Sequence, residues 1–453
     1  MKAQKLKLAL SLVLIVFGAV SVPFFISDTN TAQPQASGFL IDFGDWNVTW
    51  TEMDMQTNQN PFDALSTACK ENNFTSSIED GTVKEINGVS SDGTYSWNLW
   101  TISKNSLTWV KESSPQNIDL SKYTIAVWAY TDGSVTPTVA VDNSGRSIYG
   151  YPQAQRTVTL APAITEMIAA LRAVETLVGT DMYSTYPASV VAGQNNGTIK
   201  ILGDYLNPSF EQIVAAAPDM VFCDGSIYTH HIATDKLRNV GINTVLLYWG
   251  ADVQEIMDNI YIVGVAIGYG MRALEVISTI EHAMDGVTGA ISEHVNAQSV
   301  RVMLALTPDK SPWVSGSDTY VSDLTSIVNG DNVFSFLSGW SQVNSEQVIS
   351  QNPSVIILLT TNYMSNQSDY DSMINSLSAE WRTTDAYKNG NIYLVTGAAG
   401  NMSTLPGPRF IQLMELTARI LNPDIFNDIK MPKYIGDNYE DFLSFTKDLD
   451  FKN

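Results

Sequence analysis

Cysteine, histidine and positive charge are all scarce in this chain. Its 453 residues hold two cysteines and four histidines, and 25 Lys and Arg stand against 47 Asp and Glu, for a net charge of −22. The thiols, Cys69 and Cys223, fall in different predicted domains, which leaves no disulfide framework and no thiolate metal site. Cys223, inside the apolar run MVFCD, reads as a small core residue. So acidic a chain excludes nucleic acid as a partner, because phosphate binding needs clustered Lys and Arg. No Gly-rich phosphate loop, HExxH helix or paired-Cys motif is present, and GAAGN at Gly397 is too short to count. The histidines, placed in predicted loops or on a long helix, offer no Ser-His-Asp order. The common enzyme signatures are missing.

What is present begins with one long hydrophobic run. Lys2, Lys5 and Lys7 precede a nearly unbroken apolar stretch from Leu8 to Ile26, nineteen residues. As a helix it spans roughly 28 Å, enough to cross a bilayer. Basic residues before it and none just after place the rest of the chain outside the cytoplasm. No Cys follows for a lipid anchor and no clean A-x-A site appears, so an uncleaved anchor is favoured over a removed signal peptide. Five N-x-S/T tripeptides, at Asn47, Asn73, Asn196, Asn366 and Asn401, fit an exported surface.

The length points to about three units at roughly 150 residues each. Residues 1–37 form the anchor or signal plus a polar tether, DTNTAQPQAS. Residues 38–150 carry aromatic, strand-like runs (GFLIDF, TYSWNLWTI, YTIAVWAY) and one helix opening at Asn60-Pro61, the pattern of a small α+β domain. From Arg156 the texture changes to short buried strands alternating with helices, which predicts parallel sheets. Apolar residues at Leu274, Ile277, Ile280, Met284, Val287 and Ile291 predict one long amphipathic helix over 271–295. The expected architecture is therefore α/β. Two Rossmann-like lobes, 156–268 and 298–430, are joined by a backbone helix at 269–297 and followed by a tail, 431–453. A rigid helical joint predicts a small closing motion and a largely pre-formed cleft.

Two glutamates occupy matching places in the two lobes. Glu211 lies in NPSFEQIVAAAPDMVF and Glu346 in NSEQVISQNPSVIILL, 135 residues apart. Each sits on a short predicted helix that ends in Pro and runs into an apolar strand. With RTVTLAPAITEMIAAL, VGTDMYSTYP, LGDYLNPSFEQIVAAAPDMVF, SPWVSGSDTYVSDL, GWSQVNSEQVISQNPSVII and LPGPRF in register, residues 156–426 resemble the helical-backbone (class III) substrate-binding proteins of ABC importers for cobalamin, ferric siderophores and haem. The resemblance implies that Glu211 and Glu346 dock between arginines of a membrane-spanning permease. The chemistry is sound on its own terms, since each carboxylate can accept a bidentate contact from Arg.

A ligand cleft is expected between the lobes, at the C-terminal ends of the strands. Tyr183, Tyr205, Trp313 and Trp340 are the candidate aromatic walls for a flat metal complex. By the resemblance, Trp340 and Tyr183 match cleft aromatics of cobalamin-binding members, while Asp224 and Leu306 stand where such members often place further aromatics. Arg409, opening a helix in GPRF, is a candidate for a ligand carboxylate or phosphate, or for its own helix packing. Tyr228 with His230-His231, placed in a loop, offers an axial pair for haem iron or plain polar loop residues.

Residues 38–150 also resemble the small C-terminal domain of vertebrate cobalamin carriers, through GFLIDFGDWNVTW, NPFDALSTACKENN and SWNLWTI. That makes Trp97, Trp100 and Trp128 candidate ligand contacts or core residues. The leading expectation is an extracytoplasmic receptor, with no catalytic residues and no cofactor or metal site of its own, delivering a corrinoid to an ABC importer. A ferric siderophore or haem receptor is the alternative within that class. A chelatase or reductase on a similar scaffold, and a surface adhesion or scaffold protein, are the contrasting readings.

Overall fold

In a computed structural model of the chain, residues 37–43, 48–55, 57–103, 110–133, 140–144, 147–148, 154–293, 299–360, 366–449 and 451 are described. The expected N-terminal membrane helix and most of its tether lie outside them. Among the described residues no helix is long and apolar enough to cross a membrane.

The N-terminal domain is a five-stranded mixed sheet in the order Val48–Met53, Ser37–Asp42, Tyr123–Thr131, Ser96–Ser103, Val110–Lys111. One face carries Phe39, Ile41, Leu99, Ala126 and Trp128 against the Pro61–Glu71 helix. That helix starts where Asn60 accepts a hydrogen bond from the Phe62 amide, with Pro61 at the first helical position. Leu40, Trp100, Val127 and Ala129 form a small cluster on the other face.

The domain does not end at residue 150 as the sequence suggests. Ala140, Ile148 and Ala154 join the core of the following lobe. Asn143 donates its amide to the Leu246 carbonyl, and buried Asp142 pairs with Arg238 at 2.5 Å while accepting from the Leu246 amide. A strap from the N-terminal domain thereby covers an edge strand that would otherwise present unpaired backbone groups.

The first lobe is an all-parallel sheet ordered Lys200–Ile201, Leu177–Thr180, Thr157–Thr159, Met220–Asp224, Thr244–Leu247. Its chain leaves the central strand to one side, then returns to the other, so strand order reverses between Thr157–Thr159 and Met220–Asp224. The second lobe repeats the plan. Val300–Ala305 pairs in parallel with Gly330–Asn332 on one side and with Val355–Leu359 on the other, followed outward by Ile392–Val395 and Tyr434–Ile435. Trp313–Ser315 and Trp340–Gln342 extend the sheet antiparallel.

Between the lobes run the helices Val253–Ile267 and Gly270–Ser292. Gly268, at φ 80°, ends the first of these. Gly264 permits the close crossing, because a Cβ there would stand 2.4 Å from that of Ala273. The long helix falls where periodicity predicts it, but its most buried stripe is Ala273, Val276, Ile280, Ala283 and Val287. Leu274, Ile277 and Ile291 flank that stripe, partly buried. Ile280, Met284 and Val287 of the expected stripe are buried, and Ala273, Val276 and Ala283 widen it to one side.

The segment 431–453, read from sequence as a tail, belongs to the second lobe. Tyr434–Ile435 adds a strand, and Tyr439, Leu443 and Phe451 are buried in the main core. Glu415, fully buried on the Phe410–Leu421 helix, accepts the amides of Ser444, Phe445 and Thr446 and pairs with Arg419 at 2.9 Å.

Candidate functional site

In open parallel sheets, ligands bind outside the carboxyl ends of the strands, where strand order reverses. At that point in the first lobe stands Asp224, the last residue of its strand and largely buried. Its Oδ2 accepts the Tyr205 hydroxyl at 2.9 Å, its Oδ1 accepts the Ser226 amide at 2.8 Å, and its own amide donates to His230 Nδ1 at 2.9 Å. Burial and the neighbouring Asp224 charge push the Tyr205 hydroxyl well above its usual pKa. Tyr205 is thus partly buried and tied to a carboxylate, a wall residue rather than a free donor.

The histidines depart from expectation. Tyr228–Asn239 is a helix, not a loop. His230 is buried with both ring nitrogens engaged, Nδ1 as acceptor and Nε2 2.7 Å from the Tyr205 carbonyl. Burial lowers its pKa, and the bonding fixes it neutral. It has no nitrogen left for iron. His231 Nε2 lies 2.8 Å from the Gly225 carbonyl.

Around Asp224 the strand ends present a row of exposed apolar side chains. Met182 and Tyr183 follow Leu177–Thr180, Leu206 follows Lys200–Ile201, Tyr228 follows Met220–Asp224, and Trp249 follows Thr244–Leu247. Tyr228 and Trp249 are 78% and 67% exposed, an unusual state for side chains of that size unless something covers them. In the second lobe Trp313 is exposed at a strand start, Phe336 is exposed nearby in sequence, and Trp340 is half-buried against the main core. Sequence reasoning missed Met182, Leu206, Trp249 and Phe336. For the first three the signal was position: each follows the end of a first-lobe strand within about five residues, with no core to enter.

Below Tyr183 lies a buried polar chain. Asp181 accepts the Tyr183 amide and the Ser184 hydroxyl, Ser184 bonds Thr165, and Thr165 bonds Thr159 at 2.6 Å. Burial pushes the Asp181 carboxyl up.

Arg409 is not available at a rim. It is 2% exposed, and its guanidinium meets Glu166 of the Pro162–Ala170 helix through two bonds, Nε to Oε2 at 2.9 Å and Nη2 to Oε1 at 2.5 Å. The carboxylate it holds is the protein's own. Trp97, Trp100 and Trp128 are likewise buried inside the N-terminal domain, with the Trp97 and Trp128 indoles donating to the Val89 and Pro61 carbonyls. Leu306 is partly buried, packed against the core.

Glu211 and Glu346 are exposed, each the second residue of its helix, Phe210–Ala215 and Ser345–Gln351. Among the described residues neither carboxylate has a hydrogen-bond or ion-pair partner, and no group of His, Cys, Asp and Glu is arranged to hold a metal ion.

A family model described as periplasmic binding protein matches residues 157–399. Over 295 residues the chain is 22% identical to an uncharacterized ABC transporter substrate-binding lipoprotein, YvrC, of Bacillus subtilis (strain 168), a match spanning 65% of this chain and 88% of that protein. Among solved structures, the TroA-like periplasmic binding protein FepB from Veillonella parvula is 18% identical with a TM-score of 0.52, over 65% of this chain and 93% of that one. A periplasmic heme binding protein from Pseudomonas aeruginosa is 16% identical with a TM-score of 0.51, over 60% of this chain and 93% of that one. At these identities the likeness to the solved structures is one of fold.

Proposed function

The chain belongs to the periplasmic binding protein family, and from that premise we propose that it is an extracytoplasmic receptor that delivers a corrinoid, a cobalt-centred macrocycle of the cobalamin type, to an ABC importer. The family is one of binding proteins, not of enzymes. The curated relative carries an ABC transporter substrate-binding description, which supports the importer half of the reading.

The observation that carries the ligand half is the character of the strand-end rim. It offers broad apolar and aromatic surface at Tyr183, Tyr205, Tyr228 and Trp249, with Trp313 and Trp340 on the second lobe, accompanied by the carboxylates of Asp204 and Asp224. The candidate cation, Arg409, is already paired with Glu166. Haem carries two propionates, and many ferric siderophore complexes are anionic, so either would want Arg or Lys in the wall. A corrin ring edged with neutral amides needs flat apolar contact and hydrogen-bond acceptors, which this rim supplies.

Glu211 and Glu346 are the docking knobs in this reading. A hydrophobic run at residues 8–26 would hold the receptor at the outer face of the membrane.

The test is titration of the purified full-length protein with cobalamin and its precursors, followed by tryptophan fluorescence. Saturable quenching that is weakened by Trp340→Ala and by Trp249→Ala is expected. Tight binding of haem or a ferric siderophore, with no response to any corrinoid, would overturn the ligand assignment.

A further inference from the structure

The two lobes meet a second time, away from the long helix. Gly250, at the end of the first lobe's last strand, has φ 69°, and a Cβ there would stand 2.6 Å from Pro406. The Val253 amide donates to Asp323 Oδ2 of the second lobe at 3.1 Å. A third inter-lobe contact is the Glu166–Arg409 pair, both side chains 3% exposed. Gly407 keeps the seam tight, since a Cβ there would come within 3.3 Å of Glu166 Oε2.

Arg409 does more than bridge. Its guanidinium carbon stands 3.9 Å from the ring centroid of Tyr186, a cation–π stack with a residue of the first lobe. Tyr186 lies three residues after Tyr183, on the loop that leaves the Leu177–Thr180 strand. The same loop is held from below by Ser184, bonded to Thr165, the helix residue preceding Glu166. One short stretch of the Pro162–Ala170 helix therefore fixes the loop at one point, and a side chain from the opposite lobe fixes it at another.

We infer that Arg409 is a positioning residue for the ligand cleft: a second-lobe guanidinium that pins the first lobe through Glu166 and, by stacking on Tyr186, sets the loop that presents Tyr183. The geometry suits arginine alone. A planar fork can satisfy both oxygens of Glu166 while offering its face to Tyr186, whereas a lysine could do one or the other. Desolvation of both charges makes the pair a register device more than a source of net stability. The arrangement makes the width of the cleft and the pose of its most exposed loop aromatic depend on the same contact. The inference rests on the receptor reading for its purpose, but not for its test.

The experiment is hydrogen exchange across residues 181–187 in the full-length protein, together with the distance between spin labels at Asp235→Cys and Asp371→Cys, one exposed site on each lobe. The two native thiols are buried and leave labelling to the introduced ones. Arg409→Met is expected to speed loop exchange about tenfold or more and to broaden the inter-lobe distance distribution. Tyr186→Leu, which leaves the ion pair intact, is expected to speed loop exchange alone. If Arg409→Met does not fold, Tyr186→Leu decides. Loop exchange as slow as in the unmodified protein, or acceleration spread evenly over the whole chain, would overturn the inference. Corrinoid titration of the same variants separates the two readings. A silent unmodified protein removes the ligand assignment while the exchange result stands, and affinity unaffected by a loosened loop removes the link between Arg409 and the cleft.

Discussion

Glu211 and Glu346 occupy the same site in two different lobes. Each is the second residue of a short helix whose cap, Ser209 or Asn344, accepts the amide of the following glutamine, Gln212 or Gln347. Each helix packs through its next residue, Ile213 or Val348, both fully buried. Each is followed by a residue in the left-handed region, Ala217 or Asn352, directly before a proline. The equivalence extends to the strands that follow, Met220–Asp224 and Val355–Leu359, each paired in parallel with the first strand of its lobe. On the docking proposal, these two carboxylates on equivalent mounts would serve as a two-point contact.

Replacing both with alanine is accordingly expected to abolish uptake in cells while leaving ligand affinity within about twofold, because neither touches the strand-end rim. Transport assays paired with titration of the purified variant check this. Uptake that survives the double change sinks the docking assignment.

Tyr205→Phe removes one part-buried hydrogen bond to a carboxylate. The expected cost is about 1–2 kcal/mol of stability, since Asp224 keeps the Ser226 amide but loses its hydroxyl donor. Urea denaturation reads it. A change below about 0.3 kcal/mol would show that the Tyr205 hydroxyl is dispensable to the wall.

Burial of Asp258 predicts a pH dependence of stability with a definite sign. Burial pushes its carboxyl up to about 6, against a bond from Gln254 and with help from Asp252 and Glu255. A raised pKa means the folded protein holds a proton that the unfolded chain has released, so this group's contribution to stability falls as pH rises from about 4 to 6. Asp258→Asn should flatten that slope and raise stability at pH 7 by about 1–2 kcal/mol, a shift of two units being worth a little under 3 before solvent screening. Thermal melts at pH 5 and pH 7 compare the two, and an unchanged slope refutes the assignment.

Glu415→Ala would leave Arg419 buried with only Asp428 and Ser444, and would free the amides of residues 444–446. A loss of about 3–5 kcal/mol is expected. Limited proteolysis should then cut within residues 436–449 first. Resistance equal to that of the unmodified protein would show that the strand Tyr434–Ile435 holds the segment unaided.

Scattering curves with and without ligand are expected to differ little. A helix of 23 residues and the Glu166–Arg409 seam both resist opening. A large shrinkage on binding would contradict both.

The sequence by itself settled the features that depend on local chemistry. Alternation of apolar runs gave the parallel strands, steps of three and four gave the long helix, and short helices that end in Pro before an apolar strand placed Glu211 and Glu346 in matching positions. These read from a window of ten to twenty residues because helix and strand periods are local. What the sequence could not decide was which side chain meets which across 100 or more residues. Arg409 stayed open between a ligand anion and its own helix packing because its partner Glu166 lies 243 residues away. His230 looked like loop surface because its bonds run to the backbone of Tyr205 and Asp224. Trp249 drew no reading until its strand was seen to end at the rim, and the segment after residue 430 had no role until Glu415 collected its amides. Desolvation, pairing and exposure are properties of the packed neighbourhood, so the tertiary structure alone assigned them.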